Sequence, residues 1–251
     1  MKNFMKFALV ALLTVVLAAC GGNEEGSKEK ADKPKDEKTS QDENKAKMEE
    51  LKKKMEKQQI DKDKVVAKVN DTEIKGDEYN RALSQFQIQY QQMGQDPTSD
   101  KLSKQIEEQV VQSLVDYELI LQAAEGKGYT ASDEEVEKKL KSIKDQYKED
   151  KKFEEALKQN KLTEKELKAQ LTRNLTYEKF VEKEVPAAEV SEKEMKDYYN
   201  KFKEKAKGQQ APPYEDVKAQ IKTQLENQQK QEQVTKKIKQ LKDKADVKVM
   251  I

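Results

Sequence analysis

The sequence runs to 251 residues, enough for one or two modest domains, yet 34% are apolar against 39% charged and none is tryptophan. Five prolines and eight glycines leave long stretches free of breakers, which favours solvated helices and excludes a large α/β domain with glycine-rich turns. Fifty basic residues face 49 acidic ones, so there is no electrostatic case for binding nucleic acid, and their fine mixing reads as solvated faces.

Histidine is absent, and Cys20 is the only cysteine. The commonest general base and metal ligand are thereby missing, together with any disulfide framework or zinc cluster. No carboxylate pair stands out among the acidic residues. No catalytic residue, metal site or cofactor is therefore assigned.

The chain opens "MKNFMKFALVALLTVVLAACGG", with a basic start, an apolar run from Phe7 to Ala19, and small residues before a cysteine, the layout of a secretory signal. The run is too short for a helix to span a bilayer, which needs about 20 residues. Leu17-Ala18-Ala19-Cys20 resembles the bacterial lipobox, in which the cysteine thiol carries diacylglycerol and becomes the first residue. Ordinary cleavage with Cys20 incidental is the competing reading, and Leu17 suits it poorly because small residues are wanted there. Residues 1–19 are read as a lipoprotein signal and Cys20 as the lipidation site. Acyl chains then hold the protein at the outer face of the cell membrane.

Residues 20–63 read as a charged tether. Their first part has no large apolar side chain and cannot offset its ordering entropy; the second part, with Met48, Leu51 and Met55 at helical spacing, reads as a single narrow-striped helix.

From residue 64 the rhythm changes. Val65, Ala67 and Val69 alternate, Asn70-Asp71 signals a turn, and Thr72 to Lys75 returns as a second strand. A lone hairpin is marginal in water, and the carboxyl-terminal "ADVKVMI" offers a third strand. Asp77 is expected to cap a helix whose stripe is Tyr79, Leu83, Phe86, Tyr90 and Met93. "QDPTSD" breaks the chain before a longer helix carrying Ile106, Val110, Leu114, Tyr117, Ile120 and Leu121. Ser132–Glu135, Thr163–Glu166 and Ser191–Glu194 are capping boxes that mark three further helix starts. The last helix, from Tyr214 to about Lys244, carries apolar patches at both ends around the polar "ENQQKQEQ". It is expected to bridge two lobes beside a groove. The fold class is mainly α: an extended, two-lobed multi-helix fold with a small β hairpin joined by a carboxyl-terminal strand.

The stretches "VVAKVNDTEIKGDEYNRAL", "LVDYELILQAAEGKGYTASDEEVEKKL", "LTEKELKAQLTRNLTYEKFVEKEV", "VSEKEMKDYYNKFKEK" and "YEDVKAQIKTQL…ADVKV" resemble, in that order, the SurA N-terminal-like chaperone domain, found also in PrsA-type lipoprotein foldases. The resemblance covers nearly all of residues 64–251. In those foldases a parvulin-type prolyl isomerase domain is inserted between the counterparts of "YYNKFKEK" and "YEDVKAQI"; here "AKGQQAPP" joins them, and the histidines that a parvulin site resembles are absent. The resemblance thus implies a chaperone domain without the isomerase, not an enzyme, that holds unfolded or partly folded secreted polypeptides. Tyr79, Phe86, Tyr90, Met93, Tyr198, Tyr199 and Phe202 are its candidate client contacts. Helically spaced aromatics more often pack inward, but adjacent Tyr198 and Tyr199 cannot both face one core. An adaptor lipoprotein that binds one folded partner is the alternative, and a prolyl isomerase is the reading that a family label alone would give.

Overall fold

Alternating β-branched residues form the first element, and the computed structural model places Val65–Val69 as strand β1, antiparallel to Thr72–Lys75 as β2. The structure describes residues 37–147, 149–160, 162–186, 189–205 and 211–251. Cys20, the expected signal, the first part of the tether and residues 206–210 of the expected joint lie outside the described residues. Asn70 makes the hairpin turn with φ of 53°, a left-handed conformation that asparagine tolerates better than most residues. Its backbone N–H donates to the Asp246 carbonyl at 2.7 Å, and its side-chain oxygen accepts from the Asp246 N–H at 3.0 Å. Those bonds bring in strand β3, Val247–Val249, which pairs antiparallel with the other edge of β1 to give the order β2-β1-β3. The expected union of the hairpin with the carboxyl-terminal strand is realised.

Both faces of β1 are covered, since Val66, Ala67 and Val69 are all fully buried. Helix α2 (Gly76–Gln92) and helix α3 (Asp100–Glu125) supply the cover, α2 through Tyr79 and Leu83, α3 through Ile106, Val110, Val111, Val115 and Leu119. Asp77 does not cap α2 as expected. Strand β2 runs straight into the helix at Gly76, and the carbonyls of Lys64 and Lys62 accept from the Gly76 and Asp77 N–H groups at 2.8 and 2.9 Å. Asp77 instead pairs with Arg81, one turn on, at 3.0 Å.

The remaining helices follow the caps. Helix α1 is Glu37–Glu56, α4 is Asp133–Lys144, directly after Ser132, and α5 is Asp150–Gln159. Thr163 and Glu166 form a reciprocal box at the start of α6 (Glu164–Glu184): the Glu166 carboxylate accepts the Thr163 N–H at 2.7 Å and the Thr163 hydroxyl accepts the Glu166 N–H at 3.2 Å. Ser191 and Glu194 repeat that geometry at the start of α7 (Glu192–Lys205). After Pro212 and Pro213 comes α8, Tyr214–Lys242, unbroken for 29 residues, or about 44 Å.

The chain divides into two compact units, with boundaries inside α1, just before α4 and inside α6. One joins the described residues up to Glu50 with those of Asp133–Leu171. Its buried side chains are Val136, Leu140, Phe153, Ala156, Leu157, Leu167 and Leu171, with Lys144 paired to Glu164 at 2.9 Å. The other joins Leu51–Ser132 with Thr172–Ile251 and holds the sheet. The expected bridge takes a different form: α8 and its partners α7 and α3 all belong to this second unit. The reason is that both apolar patches of α8 find cover there. Its first half packs along α7, with Ile221 buried, while Val234, Ile238 and Leu241 pack on a cluster of Ile120, Ala124 and Phe180. Between the patches, residues 227–233 are exposed apart from Gln229.

Candidate functional site

The seven candidate contact residues fall into two groups on separate elements. Tyr79, Phe86, Tyr90 and Met93 lie on and just beyond α2, which packs on α3 and the sheet; Tyr198, Tyr199 and Phe202 lie on α7, which packs on α8. Tyr79 belongs to the core at 3% exposure, and its burial pushes the phenol up to about 12. A side chain so placed has no surface to offer a client. Phe86 and Tyr90 are half-buried against the same core, and the Tyr90 hydroxyl donates to Gln109 at 2.9 Å. Met93 is different: as the α2 stripe runs past the sheet it emerges, leaving Met93 56% exposed; Ile88, five residues earlier and off that stripe, is 49% exposed. Beside this end, Tyr90, Leu102, Gln95, Asp96, Ser99, Lys101 and Gln105 line an open cavity of about 480 Å³.

On α7 the two adjacent tyrosines part, as adjacent helical positions must. Tyr199 turns inward, donates its hydroxyl to the Pro212 carbonyl at 2.7 Å and meets the Tyr214 ring edge-on at 5.4 Å. It locks α7 to the start of α8. Tyr198 and Phe202, one turn apart, stay 36% and 48% exposed. A third apolar exposure was not anticipated from the sequence. Val249 and Met250, at the edge of the sheet, are 56% and 50% exposed, and beside them a cleft of about 200 Å³ opens between β3 and α3. The alternation "VKVMI" signals a strand but not its place at an edge.

Two charged clusters tie the helices of the second unit together. Glu118, with a side chain 6% exposed, pairs with Arg173 at 3.0 Å, and Arg173 lies over the Tyr117 ring. Burial raises the nearby Glu78 carboxyl, against the pull of Arg173. At the far end of α6, Glu184 gathers Lys127 at 2.6 Å, the Tyr129 hydroxyl at 2.9 Å and Lys237 at 3.3 Å. These partners, Lys127 first, hold its carboxyl down to about 2 from an ordinary 4.5. A carboxylate so depressed stabilises the fold fully above its ordinary value, and its contribution fades as pH falls toward the depressed one. The urea midpoint of Glu184→Gln is therefore expected to lie below wild type at about pH 7, with the gap closing by about pH 2–3. A gap that persists unchanged in acid would contradict this assignment.

No group of three or more acidic or thiol side chains forms a metal site among the described residues. No described helix is long and apolar enough to cross a membrane.

Residues 55–181 match the sequence model of the SurA-like N-terminal domain. Foldase protein PrsA 2 of Listeria innocua serovar 6a is 39% identical over 105 residues, covering 42% of this chain and 33% of that protein. Foldase protein PrsA of Clostridium botulinum is 28% identical over 147 residues, covering 54% of this chain and 44% of its own. The chain thus spans less than half the length of these relatives.

Proposed function

We propose a function from one premise: the chain belongs to the SurA-like N-terminal domain family. It is a holding chaperone that binds non-native secreted polypeptides at the outer face of the cell membrane. Residues 1–19 direct export, lipid on Cys20 anchors the chain, residues 20–63 set it off from the bilayer through the part that precedes Gln58 and Ile60, which pack onto the folded body, and residues 64–251 take the client. The relatives' name, foldase, supports a role in folding.

One observation carries the reading: Met93, Tyr198, Phe202, Val249 and Met250 stand exposed on a chain in which 39% of residues are charged. Scattered apolar side chains on a strongly solvated body make weak, adaptable contacts with varied chains while keeping the complex soluble. Tyr79 takes no part, and Tyr199 acts through its hold on α8. No catalytic step is assigned, because this sequence contains no histidine and its single cysteine is the proposed anchor.

The test is aggregation of a denatured substrate, followed by light scattering with the chain at equimolar amounts. Wild type is expected to slow it. The double variant Tyr198→Ser, Phe202→Ser is expected to lose about half or more of that protection, while its melting temperature stays near wild type because exposed substitutions cost within about 0.5 kcal/mol. Equal protection by the variant would remove α7 from the contact surface. Crosslinking in cells separates a chaperone, with a smear of clients, from an adaptor with one dominant partner.

A further inference from the structure

Strand β3 ends the sheet. The Met250 N–H donates to the Val66 carbonyl at 2.8 Å, and the Asp246 carbonyl accepts from the Asn70 N–H at 2.7 Å. Lys248 lies opposite Lys68 between them. In an antiparallel strand, backbone groups alternate in direction. Residues 246, 248 and 250 therefore face β1, and the N–H and C=O groups of Val247 and Val249 face outward along an edge that no other described strand pairs. Their side chains, with those of Ile251, Val111 and Val115, line the cleft of about 200 Å³. Its rim carries Glu107 and Glu108 against Lys242, a net negative charge.

We propose that this edge takes an extended segment of the client as a fourth strand. Backbone bonds to Val247 and Val249 supply affinity for any sequence. Alternate apolar side chains of the segment drop into the cleft, and a basic neighbour is drawn to Glu107 and Glu108. The occupant is a client and not a second copy of this chain, for two reasons. An edge of three residues buries far less than the roughly 1,200 Å² of a stable interface. In the register that pairs both outward residues with their counterparts, Lys248 would also face Lys248 across a two-fold axis, and like charges directly opposite are destabilising. The identity of the occupant rests on the chaperone reading; the edge geometry does not.

The experiment uses the full chain and a peptide of about seven residues alternating valine and threonine, with a lysine at one end. Amide exchange is expected to slow at Val247 and Val249 on binding. Two N-methylated versions of the peptide, blocked at odd or at even residues, are expected to differ at least about tenfold in affinity, since only one set of N–H groups faces β3. Val249→Pro is expected to weaken binding by about tenfold while sparing the β1 ladder, because the lost N–H points away from it. Equal affinity for both methylated peptides, or unchanged exchange at Val247 and Val249, would overturn the proposal. So would protection of those amides that grows with chain concentration in the absence of peptide, which would make the occupant a second copy. If Val249→Pro still slows aggregation like wild type, clients bind elsewhere: the chaperone reading survives and this inference does not. If wild type takes the peptide at the edge yet leaves aggregation unchanged, the edge site stands and the holding role falls.

Discussion

Phe180→Ala is expected to destabilise the protein by about 3–5 kcal/mol, the range for removing a fully buried aromatic ring. Phe180 has no exposed surface and is the largest of the fully buried side chains. It stands on α6 at the point where three other segments converge: Ile120 and Ala124 of α3 lie against it, the Tyr129 ring is 6.5 Å away, and Val234, Ile238 and Leu241 of α8 close the cluster. The surrounding side chains belong to different elements, so the vacated volume is expected to close only in part. Urea unfolding measures the loss, with the midpoint falling at unchanged slope if the second unit unfolds as one. Faster amide exchange confined to residues 234–241 would show that α8 had lifted off at this end without global unfolding. A loss below about 1 kcal/mol would mean that α8 is docked by something other than this cluster.

Gly76→Ala should cost about as much, through a different mechanism. A methyl group at Gly76 would sit 2.0 Å from the Asp61 carbonyl oxygen, 3.0 Å from its carbon and 3.2 Å from Ile60 Cγ1. Two of those atoms are backbone, so no rotamer change clears them. The segment must move as a whole, which breaks the bonds from the Gly76 and Asp77 N–H groups to the Lys64 and Lys62 carbonyls. Overpacking of about 1–3 kcal/mol adds to about 1 kcal/mol for each backbone bond lost. A melting temperature within a degree or so of wild type would show that residues 60–64 yield easily and that the close approach is incidental.

Neither position announced itself in the sequence. Gly76 carries no local mark, because its constraint comes from Asp61, a residue of the supposed tether that folds back onto the helix start. The helix starts after Thr163 and Ser191 were legible because a capping box is local: the four residues that define it are also the ones that make its bonds. The union of β3 with β1 was legible for a different reason, since a two-stranded hairpin with valines on both faces has to be completed, and the chain holds only one other alternating run. Buried polar groups were not legible. Gln87 is 1% exposed, with its amide on Gln58 at 2.7 Å, and Glu118 is buried against Arg173; each looks solvated until its distant partner is placed. The contact surface was half legible. Helical spacing put Tyr79 and Met93 on one stripe, but only the position of the sheet decides which end of that stripe is covered.

The pairing of Val249 with Ala67 also has a consequence in time. Synthesis runs from the amino end at about 5–20 residues per second, so roughly ten to forty seconds separate the making of β1 from that of its last partner, about 180 residues later. For that interval the nascent hairpin has an unsatisfied flank, and the valine-rich ribbon is vulnerable to mispairing with other emerging chains. A protein proposed to shelter incomplete polypeptides therefore passes through that same exposed condition before its own sheet is closed.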